Sequence, residues 1–423
     1  MTRGMLGDPL AHFLLAVAVV ILFSHALGAL LGRWGQPPVV GELIGGLLLG
    51  PTIFGALLPQ TRDWIFTPET LRGLDVAAQL GLVVFMFLVG SELRLNTVKK
   101  HGGVLAAMVT GAMGLPFVAG LGVALVGRDL IAGSAGHRTA YLVFVALALS
   151  VTALPVLARI LADLKLDGSP LGSLALACAA AGDVIVWAVL TVTLAVLTLS
   201  GTSAALTAGL LVVLVLIAGV SIRPLLAAVV RRADRDGAPG RILMPVLVGC
   251  ALAFAAAFQM IGLHPVIGAF LFGTLVPRDS AAVALVRSRL EGFTVVLLLP
   301  LFFAGVGLRT SIDFFRTGVA PWLLLAGVVL VAVVSKFVGA GGAARLAGVP
   351  TPDALRLGAL MNCRGVTEMV VATIGWQYHL INDLGLTILV VVALVTTAAT
   401  GPAIRLLQVR YRLDSAPAEP HLV

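Results

Sequence analysis

Two stretches of the chain decide its fold: residues 150–155 read SVTALP, and residues 362–368 read NCRGVTE. Each lies near the centre of an apolar segment that is long enough to cross a bilayer. Pro155 removes one helical hydrogen bond and disfavours helical geometry in the residue before it. Gly365 stands among polar side chains, which suit a protein-lined cavity better than a lipid-facing helix. The two stretches predict interrupted helices that cross within the membrane; a kinked first helix and an intact second one is the alternative.

The composition around these stretches indicates an all-α polytopic membrane protein. Of the 423 residues, 59% are hydrophobic and 11% are charged, whereas a soluble domain carries about 25% charged residues. The apolar residues form thirteen predicted spans, several of them short or interrupted by Gly and Pro. The spans cover residues 10–31, 37–55, 74–93, 103–126, 139–163, 171–199, 203–230, 243–260, 264–277, 291–308, 319–345, 353–378 and 384–407.

Loop charges orient these spans. With the N-terminus outside, the cytoplasmic loops and tail hold 19 Lys and Arg residues, the opposite side holds 7, and two fall within spans. This asymmetry follows the positive-inside rule and predicts an outer N-terminus and a cytoplasmic C-terminus. The net charge of +8 is explained by this asymmetry, so no nucleic-acid partner is expected.

Short internal matches indicate two inverted repeats. The matched pairs are residues 38–41 (PVVG) with 265–268 (PVIG), 90–94 (GSELR) with 305–309 (GVGLR), and 151–152 (VT) with 366–367 (VT). The members of each pair are seven spans apart, and because seven is odd the two halves cross the membrane in opposite senses, as in secondary transporters. Chance similarity among Gly-rich helices is the alternative. The predicted organisation is a membrane domain over residues 1–407, with repeats at about 10–199 and 243–407, a linker helix at 203–230 and a cytoplasmic tail at 408–423.

Four ionisable residues are predicted near the middle of spans: Asp183, Lys336, Arg364 and Glu368. A charge at that depth costs roughly 2.5 kcal/mol or more, so such residues usually pair and usually mark a pathway. Asp183 follows a run of small residues that leaves room for water. Arg364 and Glu368 are four residues apart and can pair along one helix face. Purely structural ion pairs between helices are the alternative for all four.

Other candidates carry weaker signals. Glu42 and Arg159 are predicted within two turns of the cytoplasmic ends of their spans, where they could line an inner vestibule or simply snorkel. His25 and His264 could titrate near neutral pH, although a lone His in a helix bundle is more often a packed hydrogen-bonding residue. The sequence contains no catalytic, phosphate-binding or metal-binding motif. We therefore expect a transporter and not an enzyme, with no cofactor and no metal beyond a transported monovalent cation.

The chain resembles the monovalent cation:proton antiporters, in the branch of plant cation/proton exchangers and bacterial potassium-efflux and sodium/proton antiporters. The matching stretches are residues 85–93 (FMFLVGSEL), 150–161 (SVTALPVLARIL), 182–187 (GDVIVW), 300–303 (PLFF) and 362–368 (NCRGVTE). The resemblance implies a homodimer of thirteen-helix protomers in the lipid bilayer, each with a dimerisation domain and a mobile core domain. It also implies that Asp183 carries the ion and the proton, and that Lys336 matches the lysine of the family's eleventh span.

Two features depart from the family pattern. Gly182 occupies the position before the carboxylate, where family members often have Asp, Asn or Gln. Only about sixteen residues follow the last predicted span, which is too few for the nucleotide-binding domain of the potassium-efflux members. We therefore do not expect ligand gating through such a domain.

The predicted function is exchange of Na+ or K+ for H+ across the cell membrane. Burial disfavours the ionised form of Asp183, so a proton and a cation can exclude each other there. Thr152, Ser150 and nearby carbonyls would complete the oxygen shell of the cation, by analogy with the hard divalent ions. The expected charge-compensating residues are Lys336, Arg364 and Glu368.

The movement and stoichiometry follow from this scheme. The domain with the fifth, sixth, eleventh and twelfth spans would move to expose Asp183 to each side in turn. A single carboxylate predicts electroneutral, one-for-one exchange. Two other functions stay open: a sodium-coupled symporter of organic anions with a similar architecture, and a receptor or channel that keeps the fold without exchange.

Overall fold

The computed structural model describes residues 8–34, 36, 38–51, 53–92, 102–166, 169–198, 202–236, 239–261, 263–277, 280–310 and 318–411. Over these residues the chain is almost entirely helical, with one isolated antiparallel bridge between Ala132 and Ile381. The helices are α1 (Pro9–Gly32), α2 (Pro38–Leu49), α3 (Phe54–Leu57), α4 (Pro59–Ile65), α5 (Pro68–Glu92), α6 (Gly102–Val126), α7 (Arg128–Ile131), α8 (Arg138–Ser150), α9 (Leu154–Asp163), α10 (Pro170–Thr198), α11 (Thr202–Ile217), α12 (Arg223–Asp236), α13 (Pro239–Met260), α14 (Pro265–Leu275), α15 (Ala281–Phe293), α16 (Leu299–Arg309), α17 (Ala320–Leu346), α18 (Thr351–Leu360), α19 (Val366–Gln377) and α20 (Asp383–Tyr411). Single π-helical turns join α11 to α12 (Ala218–Ile222) and α15 to α16 (Thr294–Leu298).

The described part of the chain contains eleven helical segments that are long and apolar enough to cross a membrane. The protein is therefore a multi-pass membrane protein, and the all-α prediction is confirmed. Two predicted spans are not among the eleven: 264–277, which contains only the short helix α14, and 353–378, which is divided between α18 and α19. The count of thirteen stays a prediction. The predicted tail begins inside α20, and residues 412–423 lie outside the described residues.

Two helices begin earlier than the apolar pattern predicts. α5 begins at Pro68 instead of residue 74, because proline at the first helical position has a backbone already set for a helix. α15 begins at Ala281 instead of residue 291, and the Ser280 side chain caps it by accepting a hydrogen bond from the Val283 N–H at 3.2 Å. In both cases local capping extends the helix into a polar stretch that hydropathy alone leaves out.

The two predicted interruptions are present and they meet. Residues 151–153 are non-helical between α8 and α9, and residues 361–365 separate α18 from α19. The Ala153 N–H donates to the Cys363 carbonyl at 3.1 Å, which joins the two breaks directly. A Cβ atom at Gly365 would lie 2.5 Å from Cγ2 of Val156, so any larger residue here would require Val156 to shift. The crossing of interrupted helices is therefore confirmed, and an intact second helix is excluded.

The helices form two compact units that each draw on both halves of the sequence. Unit 1 comprises Met1–Ser24, Ile53–Leu93 and Thr191–Gly305, and unit 2 comprises His25–Thr52, Arg94–Leu190 and Val306–Val423. Helices α8, α9, α17, α18, α19 and α20 therefore all belong to unit 2, as does the first two-thirds of α10.

Each unit contains close glycine contacts between the two predicted repeats, and one pair of them is matched. In unit 1, a Cβ atom at Gly90 on α5 would lie 2.2 Å from the Phe270 carbonyl oxygen on α14. In unit 2, a Cβ atom at Gly307 on α16 would lie 2.5 Å from the backbone carbon of Gly46 on α2. The third helix of each repeat thus packs against the second helix of the other. The sequence match pairs Gly90 with Gly305. In packing, however, the counterpart of Gly90 is Gly307, two residues later.

Candidate ion site

The four charged residues predicted at mid-span all lie in unit 2 and are all buried. Asp183 lies on α10 and Lys336 on α17, whereas Arg364 lies between α18 and α19 and Glu368 in the first turn of α19. Their exposed fractions are 1% for Asp183 and 0% for the other three. Since two are acids and two are bases, the set is neutral when all four are ionised. Their predicted depth in the membrane and their functional roles stay predictions.

The C-terminal end of α8 is capped by two of these cations. The last carbonyls of a helix have no partner within it, and they form the negative end of the helix dipole. Arg364 donates through Nη1 to the Ala148 oxygen at 3.2 Å and through Nη2 to the Leu149 oxygen at 2.6 Å. The Lys336 ammonium donates to the Ser150 oxygen. Buried positive charge therefore satisfies the carbonyls that the interruption leaves open.

The same lysine holds the oxygen atoms that the sequence assigned to a transported cation. Lys336 also donates to Thr152 Oγ1, and the Thr152 hydroxyl donates to the Met361 carbonyl at 3.2 Å, across the two breaks. The Ser150 hydroxyl donates within its own helix to the Ala146 oxygen at 2.8 Å. The Ser150 carbonyl and the Thr152 hydroxyl thus both accept hydrogen bonds from the Lys336 ammonium group. Their role as cation ligands stays a prediction.

Asp183 differs from its neighbours because its carboxylate is left without hydrogen bonds. Neither Oδ1 nor Oδ2 has a hydrogen-bond partner among the described residues, although both atoms are buried. The hydrogen bonds of the buried Lys336 ammonium go to Ser150 and Thr152. Buried polar atoms are nearly always paired, and exceptions often have a functional reason such as an exchanged ion.

Arg364 and Glu368 form the pair that their spacing predicted. Arg364 Nη1 lies 2.6 Å from Glu368 Oε1, with both side chains fully buried. Sequence reasoning missed the residue that fixes Arg364, which is Thr397 on α20. The Thr397 hydroxyl donates to the Arg364 carbonyl at 2.6 Å and accepts from the Arg364 N–H at 3.1 Å. The available signal was a run of threonines, Thr396, Thr397 and Thr400, inside an apolar helix.

Gly182 is not required by helix packing. A Cβ atom at this position would meet only Met113 Sδ within 4 Å, at 3.6 Å, which is an ordinary van der Waals distance. A Cβ atom is therefore tolerated beside Asp183, so close packing at that atom does not account for the glycine.

The weaker candidates have separate environments. Glu42 is buried on α2 with 8% exposure, and Arg159 is exposed on α9; their vestibule roles stay predictions. His264 caps α14, since its Nδ1 accepts a hydrogen bond from the Val266 N–H at 3.4 Å. His25 is exposed on α1. No group of three or more His, Cys, Asp or Glu residues within the described ranges is placed to hold a metal ion.

Comparisons with known proteins agree with this architecture. The family model for sodium/hydrogen exchanger, transmembrane, matches residues 13–409. Cation/H(+) antiporter 19 of Arabidopsis thaliana is 37% identical over 93% of this chain and 49% of its own length. Na(+)/H(+) antiporter NhaS4 of Synechocystis sp. is 31% identical over 92% of this chain and 95% of its own.

A solved structure shares the fold. The sodium proton antiporter MjNhaP1 from Methanocaldococcus jannaschii superposes with a TM-score of 0.65 at 13% identity, over 96% of this chain and 98% of that one. The likeness shows a sodium/proton antiporter-like fold. The chain spans about half the length of the plant relatives that it matches first.

Proposed function

This chain belongs to the sodium/hydrogen exchanger family, and we propose that it exchanges a monovalent cation, Na+ or K+, for H+ across the cell membrane. The observation that carries the proposal is the carboxylate of Asp183, which is buried within a spanning helix and has no hydrogen-bond partner for either oxygen among the described residues. Such a carboxylate is stabilised by whatever positive charge reaches it, whether a proton or a cation.

The mechanism we propose is competition at Asp183. When the site takes up a proton, the carboxyl becomes neutral and has no need of a cation. When the proton leaves, a cation that has shed its water neutralises the carboxylate. Alternating access then requires Asp183 to be reached from each side of the membrane in turn. Because each direction carries one positive charge, exchange is electroneutral.

The cations that cap the end of α8 differ in how firmly they are held during exchange. Arg364 is held by two carbonyls of α8, by Glu368 and by Thr397, so its charge stays in place during the cycle. Lys336 has fewer constraints, since it donates to the Ser150 oxygen and to Thr152 Oγ1. For these two oxygens to serve as cation ligands, as we propose, the lysine must release them when the cation arrives.

We further propose the membrane setting that the sequence predicts. The N-terminus lies outside, the C-terminus lies in the cytoplasm, and the protein works as a homodimer. Glu42 and Arg159 line the inner vestibule in this scheme. Accessibility of introduced cysteines at exposed positions outside the predicted spans, such as Ser134 and Thr351, tests the orientation, because the two positions should label from opposite sides.

Transport in everted membrane vesicles tests the function. Addition of NaCl or KCl should release protons from acidified vesicles, seen as dequenching of a pH dye, and Asp183→Asn should abolish the signal. Asp63→Asn is the matched control, because Asp63 is an exposed acid and its variant should exchange normally. Exchange by Asp183→Asn at the wild-type rate would refute the assignment. A sodium-coupled organic-anion symporter would instead give no salt-dependent proton movement in either protein.

A further inference from the structure

A small cleft lies in unit 2, away from the charged cluster of the ion site. It has a volume of about 50 Å³ and opens between the loop from α6 to α8 and the loop from α19 to α20. One water needs about 10–15 Å³ of such space, so the cleft can hold a small polyatomic ion. Both loops join the ends of spanning segments, which places the cleft at the level of the membrane surface.

The side chains around this cleft are mainly basic. Arg128, His137, Arg138 and His379 all line it and are all exposed, and Tyr141 forms part of its wall. Two guanidinium groups offer forked N–H donors of the kind that match phosphate and carboxylate oxygens. The two imidazoles add further N–H donors. The cleft therefore offers hydrogen-bond donors and positive charge together.

The two loops are joined by backbone hydrogen bonds that hold the cleft in shape. The Gly133 N–H donates to the Leu380 oxygen and the Ala135 N–H to the His379 oxygen, each at 3.0 Å. The Asn382 side chain adds a bond to the Leu130 oxygen at 2.8 Å. His379 has a φ of +54°, a conformation that non-glycine residues seldom adopt. Its position is therefore imposed by the loop pairing, which prepares the site before a ligand arrives.

Two further features bear on the charge of the cleft. α8 begins at Arg138, so the positive end of a 13-residue helix adds to the side chains. Asp129 on α7 is an exposed acid next to Arg128 and opposes them in part. On the predicted orientation the cleft faces outside, where only 7 of the 28 Lys and Arg residues lie. Two of those seven line this cleft, which general positive-inside asymmetry does not explain.

We propose that this cleft binds a phosphate-type oxyanion, presented by the headgroup of an anionic phospholipid or as free phosphate. Both sources share the tetrahedral oxyanion that the two arginines can grip. The inference is independent of the exchange function, because it involves neither Asp183 nor the residues around it.

Binding of inorganic phosphate to the purified protein tests the free-ion source. Isothermal titration with sodium phosphate in detergent should show binding, and the double variant Arg128→Gln/Arg138→Gln should weaken it at least tenfold. Arg72→Gln is the matched control, because Arg72 is an exposed arginine in unit 1 and its variant should bind as the wild type does. Asp129→Asn, which removes the opposing acid, should tighten binding severalfold.

Reconstitution tests the lipid source. The protein is reconstituted in nanodiscs of phosphatidylcholine with about 20% phosphatidylglycerol. Native mass spectrometry should show bound phosphatidylglycerol on the wild type and on Arg72→Gln, and none on the double variant. Binding in either experiment supports an oxyanion site in the cleft, and the experiment that gives it identifies whether the oxyanion comes from free phosphate or from a lipid headgroup. The proposal is overturned if neither phosphate nor the anionic lipid binds, or if the double variant, eluting and melting as the wild type does, binds equally well.

Discussion

The C-terminal end of α8 and the carboxylate of Asp183 lie in the same unit, but they differ in whether their oxygen atoms have hydrogen-bond partners. Every carbonyl from Ala148 to Ser150 accepts a hydrogen bond from a buried cation, whereas neither oxygen of Asp183 accepts one from any described residue. In the first arrangement, the three carbonyls at the helix end are all satisfied by side chains of the protein. The second has no partner among the described residues, and in the mechanism that we propose a proton or a cation supplies one.

This difference separates scaffold from site. Removing one partner from a complete buried network exposes an unpaired charge, which destabilises the fold strongly. Removing a group that has no partner should change stability little and function greatly. Four changes test this distinction, and they are ordered by the size of the effect expected on the folded protein.

Arg364→Ala should cause the largest loss of stability. It leaves Glu368 buried without its partner and opens the carbonyls of Ala148 and Leu149. Loss of one member of a buried ion pair costs about 3–5 kcal/mol, so the variant should melt far below the wild type in detergent or fail to accumulate. Adding Glu368→Gln should recover part of the loss, because no uncompensated charge then remains. Wild-type melting by the single variant would contradict the scaffold role.

Lys336→Ala should have an intermediate effect. It removes the donor to the Ser150 oxygen and to Thr152 Oγ1, and hydrogen bonds to charged groups are worth about 1.5–3 kcal/mol each. Part of that loss is offset because the buried ammonium no longer has to be desolvated. We therefore expect a clear fall in melting temperature, smaller than for Arg364→Ala, and a changed pH profile of exchange.

A double variant shows whether Lys336 is coupled to Asp183. If the lysine compensates the carboxylate, Asp183→Asn should cost less stability in the Lys336→Ala background than in the wild type. Simple additivity of the two melting shifts, together with an unaltered pH profile, would show that the lysine serves only the end of α8.

Asp183→Asn should leave stability almost unchanged while exchange is lost. The substitution is close to isosteric and breaks no hydrogen bond in the described structure. The free energy of unfolding should therefore change by about 1 kcal/mol or less, and the melting temperature should shift only slightly. Thermal unfolding of the purified variant measures this beside the transport assay. A large destabilisation would mean that the carboxylate has a structural partner, and the contrast with the α8 end would then fail.

Part of this contrast could be predicted from the sequence. Pro155 and Gly365 mark the two interruptions, because each residue is a poor component of a continuous helix at that depth. The spacing of four residues predicted the pair of Arg364 and Glu368, although Arg364 lies before the start of α19 and not on one helix face with Glu368. These inferences rest on local rules and need no knowledge of how distant segments meet.

The contacts of Lys336 could not be predicted in the same way. They join it to Ser150 and Thr152, 186 and 184 residues away, and depend on the register in which the interrupted helices cross. The clamp of Thr397 on the backbone of Arg364 spans 33 residues and depends on the same register. Hydropathy likewise gave no sign that each compact unit would combine helices of both halves.

The smallest expected effect concerns membrane voltage, which should not alter wild-type exchange. Family members that move net charge typically carry two adjacent acids at the carrier position, and this chain has Gly182 before Asp183. One carboxylate that holds either a proton or a monovalent cation moves the same charge in both directions. Reconstituted protein should therefore exchange Na+ at one initial rate, whether valinomycin and potassium hold the voltage at zero or make the interior negative.

Gly182→Asp should make exchange depend on voltage. A Cβ atom at position 182 meets only Met113 Sδ, at 3.6 Å, so the substitution introduces no clash at that atom. A second carboxylate beside Asp183 can carry an additional proton, so the variant's exchange rate should follow the imposed voltage. Gly182→Asn is the matched control, because it adds nearly the same volume without an acid and should stay indifferent. A wild-type rate that follows voltage, or a wild-type current on a solid-supported membrane, would refute the one-for-one scheme. The remaining source of a second proton would then be Glu368, whose Oε2 has no hydrogen-bond partner among the described residues.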